Sequence, residues 1–168
     1  MKPALTACLV AAAILPEISC INPFAPRLDN SPAVAEYDLR TTDGVFRAFQ
    51  AAYSTHDTTI YGQLLDPGFT FFYHDYEADV DVTWGRDEEL RTTYGLFQNV
   101  QRLDLIWNNI LSTSTDSTRL NIQRGFNLSV TFNPIDVESV HGYASLTLHR
   151  ERITDPWKII LWIDQSNF

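Results

Sequence analysis

The sequence predicts an α+β domain in which helices pack on one face of a curved antiparallel sheet. Three observations carry this prediction. Residues 120–132, LNIQRGFNLSVTF, place Leu120, Ile122, Phe126, Leu128, Val130 and Phe132 on every second position, the period of a strand with one buried face. Val140, Ala144, Leu146 and Leu148 repeat that alternation in the following segment. Earlier, Val45, Phe46, Phe49, Ala52 and Tyr53 follow the spacing of one face of an amphipathic helix. Helices first and a run of turn-linked strands afterwards indicate α+β, with the helices on one side of the sheet.

The first helix can be capped by Thr41, Thr42 or Asp43. Asp57 opens a shorter helical piece with Ile60, Leu64 and Leu65 apolar, stopped by Asp66-Pro67-Gly68. FTFFYHDY, residues 69–76, is a strand by aromatic content, and the polar EADVDVTWG after it is hairpin-like. In DEELRTTYGLFQNV the spacing predicts a helix with Leu90, Tyr94 and Phe97 inward, its first turn loaded with Asp87, Glu88 and Glu89 where the dipole favours negative charge. Residues 102–112 then alternate with Leu103, Leu105, Trp107 and Leu111 on one face. STSTDST and Asn133-Pro134 supply turns, and Asp155-Pro156 breaks the chain before the last strand, WKIILWID.

The N-terminal segment has a different texture. One cation precedes an uncharged, mostly apolar run from Ala4 to Leu15, too short for a bilayer-spanning helix of about 20 residues and suited to a secretory signal peptide. Ile18-Ser19-Cys20 resembles the lipobox of bacterial lipoproteins, in which the cysteine is lipidated and becomes the first mature residue. Glu17 stands where that pattern carries an aliphatic side chain. Cleavage there removes Cys8 and leaves Cys20 alone, so no internal disulfide can form. Ordinary cleaved secretion, an uncleaved anchor and a chance cysteine are the alternatives. Residues 21–36 contain three prolines and read as an extended tether. The expected organisation is therefore a signal peptide over 1–19, a tether over 20–40 and one domain over 41–168. The expected address is the bacterial cell envelope, the protein being exported and held at the membrane by lipid on Cys20.

The formal charge of -9, from 12 basic and 21 acidic residues, and the presence of only two lysines argue against nucleic-acid binding, which needs clustered cations. No phosphate-cradling glycine loop and no serine or cysteine nucleophile motif occurs, and no cofactor is expected. Metal ligation is not expected either. His141 and His149 share a strand face but lie about 26 Å apart at ~3.3 Å per residue. His56 and His74 lack ligand spacing. The acidic run Asp75, Glu77, Asp79 and Asp81 lacks the sixth-position glycine of a calcium loop and meets Arg86 where that loop needs glutamate.

From about Thr42 to Asp164 the chain resembles the nuclear transport factor 2-like (NTF2-like) superfamily, including SnoaL-like domains. Three motifs carry the resemblance: Leu65-Asp66-Pro67 after an opening helix pair, Gly85-Arg86-Asp87-Glu88 before the next helix, and Trp157-Lys158-Ile159 at the final strand. The resemblance implies a cone-shaped curved sheet whose concave face and helices enclose a cavity. It implies a general base near the end of the first strand, where Tyr73, His74 and Asp75 stand. Aligned with ketosteroid isomerase-like members, however, the catalytic aspartate falls on or near Tyr73 and the oxyanion-binding tyrosine near Phe49. A slip of two residues brings Asp75 into that role. His74 and Asp75 cannot both face inward, because adjacent strand residues point to opposite faces.

One residue in the opening stretch conflicts with its pattern. Arg124 occupies a slot that the alternation assigns to the interior, although its guanidinium is always charged. A bulge at Gly125 would reverse the faces, yet the apolar series keeps one parity on both sides of it. Arg124 is therefore expected to face inward, either in a structural ion pair or as a pocket residue, with Asp75, Asp104 and Asp164 as possible partners. Tyr53, Tyr73, Trp107, Phe126 and Trp162 are the expected aromatic pocket lining, or else plain core. The leading functional expectation is a non-catalytic small-molecule-binding module. A SnoaL-like enzyme using Asp75 or His74 in acid/base chemistry, or a domain that assembles as a homodimer, are the alternatives.

Overall fold

The computed structural model describes residues 37–166. The expected signal peptide, Cys20 and residues 21–36 of the tether lie outside the described residues. Helix α1 spans Thr42–Thr55, α2 Thr58–Leu64 and α3 Arg86–Asn99. Strands β1 to β6 span Leu65–Asp75, Val80–Gly85, Arg102–Thr115, Arg119–Asn133, Asp136–His149 and Lys158–Ser166.

Local chemistry sets the helix ends. Thr41 caps α1, its Oγ1 accepting the Gly44 N–H at 3.0 Å and satisfying one otherwise orphaned donor. His56 ends that helix in the left-handed conformation, φ 54°. Asp57 then caps α2 by accepting from the N–H groups of Thr59 at 2.8 Å and Ile60 at 3.0 Å. Residues 37–40, the end of the expected tether, are docked on the domain: Leu39 accepts the Trp157 N–H at 2.9 Å.

The six strands form one open sheet in the order β2-β1-β6-β5-β4-β3. The sheet is mixed, where a wholly antiparallel one was expected. β6 inserts between β5 and β1; it runs antiparallel to β5 and parallel to β1. Asp66-Pro67-Gly68 does terminate α2, but it sits within β1 as an irregularity. Pairing with β6 jumps there from Leu65–Ile159 to Thr70–Leu161, so the strand begins at Leu65, before the expected residue 69.

β4 pairs regularly with β5 from Arg119–His149 to Thr131–Val137, and Gly125 is not a bulge. The irregularity lies across the ladder in β3, where register shifts fall between Trp107 and Ile110 and again between Ile110 and Ser112. These shifts overturn the simple alternation expected for residues 102–112. Leu103 and Leu105 are buried as expected, whereas Leu111 is turned out and 56% exposed.

The helix at 86–99 is also rotated from expectation. Its buried residues are Glu89, Thr93 and Phe97, while Tyr94 is exposed and Leu90 only half-buried. The core beneath the helices centres on Phe49 of α1, whose ring meets those of Tyr53, Tyr61, Trp107 and Trp162 at centroid distances of 5.0 to 5.4 Å. Three of these four contacts are edge-to-face, a geometry aromatic quadrupoles favour.

Candidate functional site: an aromatic cavity with a buried glutamate

Between the helices and the inner sheet face lies a cavity of about 440 Å³. Its deep wall is aromatic, with Phe49 and Tyr53 from α1, Phe71 from β1 and Trp162 from β6, each less than a tenth exposed. Leu105 and Trp107 of β3 and Phe126, Leu128 and Val130 of β4 continue the wall. Thr92, Phe132 and Glu138 also line it and are exposed, which puts the mouth near the β4–β5 turn and the outer side of α3.

The residue that organises this cavity is Glu89, expected from the sequence only as one of three acids that suit the dipole in the first turn of its helix. It is 4% exposed. One carboxyl oxygen accepts from Tyr61 Oη at 2.5 Å and from Thr93 Oγ1 at 3.1 Å, and the other accepts from Trp84 Nε1 at 2.7 Å. Three donors from three elements thus meet a group that would be costly to bury without hydrogen bonds. A sequence signal did exist: Glu89, Thr93 and Phe97 fall at i, i+4 and i+8, one helix face carrying two polar side chains.

Asp164 is the second acid in the cavity wall. Burial raises its pKa, partly countered by hydrogen bonds to its two oxygens from the Ser166 N–H at 3.1 Å and Oγ at 3.0 Å; Glu89 adds a smaller upward push. Burial also raises the pKa of Tyr53 and of Tyr61, with Glu89 acting in the same direction, so both phenols keep their protons. The indole N–H groups of Trp107 and Trp162 are buried with no acceptor among the described residues.

Of the residues expected to form a pocket, Tyr53, Trp107, Phe126 and Trp162 are brought together in this wall. Tyr73 is not among its lining residues; it packs beside Phe71 and Trp84 at 6.1 and 5.7 Å. Arg124 projects to the helix side but also falls outside the lining. Its guanidinium lies 4.5 Å from the Phe46 ring centroid and 5.9 Å from that of Trp107, and its Nε donates to the Asn108 carbonyl at 2.7 Å. Its counterpart is therefore an aromatic face and a carbonyl of the β3 bulge, where a carboxylate partner or a ligand was expected. Burial lowers its pKa and Asp43 opposes that, leaving a guanidinium still charged at neutral pH.

Neither expected base reaches the cavity lining. His74 is paired with Asp81, Nδ1 to Oδ1 2.8 Å, and with Asp79 at 3.5 Å, across the β1–β2 hairpin. The Asp75 carboxylate caps the same turn, accepting from the N–H groups of Glu77 and Ala78, each at 3.0 Å. A strand-end carboxylate beside free turn amides folds back on them, which is the physical reason it does not point inward. Among the described residues, no cluster of three His, Cys, Asp or Glu side chains could hold a metal ion.

No protein-family model and no curated protein matches this chain. Solved structures do. A Kribbella flavida protein, Kfla4162, is 13% identical with a TM-score of 0.65, covering 80% of this chain and 93% of its own. A candidate dehydratase of the NTF2-like family from Streptomyces avermitilis is 16% identical at TM-score 0.60, covering 75% and 94%. A candidate scytalone dehydratase from Novosphingobium aromaticivorans is 13% identical at TM-score 0.62, covering 77% and 84%. At these identities the likeness concerns the fold alone. The described domain has the NTF2-like α+β fold, built on an open six-stranded sheet.

Two predictions follow from the geometry. Glu89→Ala strands the Tyr61 and Trp84 donors and is expected to lower unfolding free energy by roughly 3 kcal/mol in urea titrations. Glu89→Gln, which keeps one acceptor oxygen, is expected to cost less. Arg124→Ala removes the contact over Phe46 and is expected to cost about 1 kcal/mol by the same measurement. It should leave the affinity of any cavity ligand unchanged, as calorimetry on the folded variant would show.

Proposed function

We propose that the domain is a small-molecule-binding module whose ligand is largely apolar and enters the cavity beneath the helices. The observation that carries this reading is the cavity itself: about 440 Å³, walled by aromatic side chains and holding a few convergent polar groups. That combination is typical of ligand sites. The reading extends to the N-terminal segment, where an exported protein tethered by lipid on Cys20 would present this cavity at the cell envelope. The support for that part is the apolar run, the lipobox-like tripeptide and the absence of any second cysteine after Cys20. Mass spectrometry of the mature N-terminus tests it; an unmodified Cys20 would refute lipidation.

The binding reading is tested by thermal-shift and calorimetric titration with a panel of aromatic and alicyclic compounds. Val140 is half-buried and lines the cavity. Val140→Trp is expected to fill the void and abolish binding while the domain still melts cooperatively. Binding that persists undiminished in that variant, or a panel without a single hit, would remove the reading.

A second reading is acid/base catalysis on the bound molecule. The observation favouring it is Asp164, a carboxyl placed in the cavity wall whose pKa burial raises, a direction that suits a proton-transfer group. Two of the structural neighbours are named as candidate dehydratases, which is consistent with such chemistry. On this reading Asp164→Asn is expected to lower the turnover of saturated protein at least 100-fold. Turnover that survives the substitution would exclude Asp164 as the proton-transfer group.

A further inference from the structure

Every charged side chain lining the cavity is acidic: Glu89, Glu138 and Asp164, with no lysine, arginine or histidine among the lining residues. The hydrogen-bond donors to Glu89 are the neutral groups of Tyr61, Thr93 and Trp84, and those to Asp164 are Ser166 and the Gln165 backbone N–H, also neutral. Among the described residues neither acid has a cationic side chain within ion-pair distance. Three of the four tryptophans of the chain, Trp84, Trp107 and Trp162, line the same space. Tryptophan presents the most strongly cation-attracting face of any side chain. Two further groups are unused: the buried N–H groups of Trp107 and Trp162, the latter nine-tenths buried in the wall, have no acceptor among the described residues.

We propose that the cavity takes a cationic ligand: a small ring-bearing amine whose ammonium group sits against the Glu89 and Asp164 side while its ring stacks among the tryptophans. This deepens the binding reading above and rests on it. A desolvated carboxylate gains most from a counter-charge when none is supplied by the protein. An anionic ligand meets the opposite condition, because like charges inside a poorly solvated cavity repel strongly. A hydroxyl or ether oxygen on the amine would also give the idle Trp162 N–H its acceptor.

The test uses three probes on one ring system: tryptamine, indole-3-ethanol and indole-3-acetate, which are cationic, neutral and anionic at pH 7. Calorimetry on the chain is expected to give tryptamine at least tenfold tighter binding than indole-3-ethanol, and no measurable binding of indole-3-acetate. Asp164→Asn and Glu138→Gln, neither of which disturbs the Glu89 hydrogen bonds, are expected to shrink the tryptamine preference several-fold. Glu89→Gln, where it folds, should shrink it further. Equal affinity for tryptamine and indole-3-ethanol would overturn the charge inference and leave the binding reading standing. Tighter binding of indole-3-acetate, or a preference untouched by all the variants, would overturn it as well. Failure of all three probes would overturn it too, and the broad panel with Val140→Trp then decides the binding reading separately.

Discussion

The constraint on which the rest of the structure depends is the need to satisfy the carboxyl group of Glu89 away from water. Its three hydrogen bonds draw together α2 through Tyr61, β2 through Trp84, and α3 itself through Thr93. Once those bonds form, α3 is fixed in rotation with Glu89, Thr93 and Phe97 inward. The polar face this helix turns toward the sheet is what keeps the interior from closing into continuous hydrocarbon. A helix presenting Leu90 and Tyr94 instead would have more apolar surface to bury and less reason to leave a void.

The aromatic residues divide into two populations around that constraint. Phe49, with Tyr61 and Phe97 nearby, forms a tight cluster where helices and sheet meet, and edge-to-face contacts give it definite orientations. Trp107, Phe126 and Trp162 face the open side of the cluster, so each ring is packed on one side and borders the cavity on another. Stability and ligand access are therefore shared by the same side chains. Substitutions at Phe49 would disturb both, whereas Val140 near the mouth separates them.

The fold was legible wherever burial and period agreed. The alternation in β4 and β5 survives because their ladder is regular, and the α1 face survives because all five of its apolar residues meet the core. The site was half legible. Aromatic content pointed to Tyr53, Trp107, Phe126 and Trp162, since large rings on inward positions must line whatever interior exists. Glu89 escaped because a carboxylate in a first helical turn has a simpler explanation in solvent, and its partners lie 4, 5 and 28 residues away in sequence. Arg124 was assigned its correct side but not its surroundings: sequence parity gives direction, while the β3 bulge that supplies its carbonyl depends on register between strands. Asp75 and His74 lie outside the cavity lining because turn amides and hairpin aspartates are their nearer partners.

The position of β6 has a consequence for how the chain must be made. The strand at residues 158–166 occupies an interior place in the sheet, between strands that begin at residues 65 and 136. Until it emerges from the ribosome, both neighbours present bare edges and the hydrophobic cluster lacks Ile159 and Trp162. Early strands must wait for a late one, a high-contact-order arrangement that folds slowly and leaves sticky edges open during synthesis.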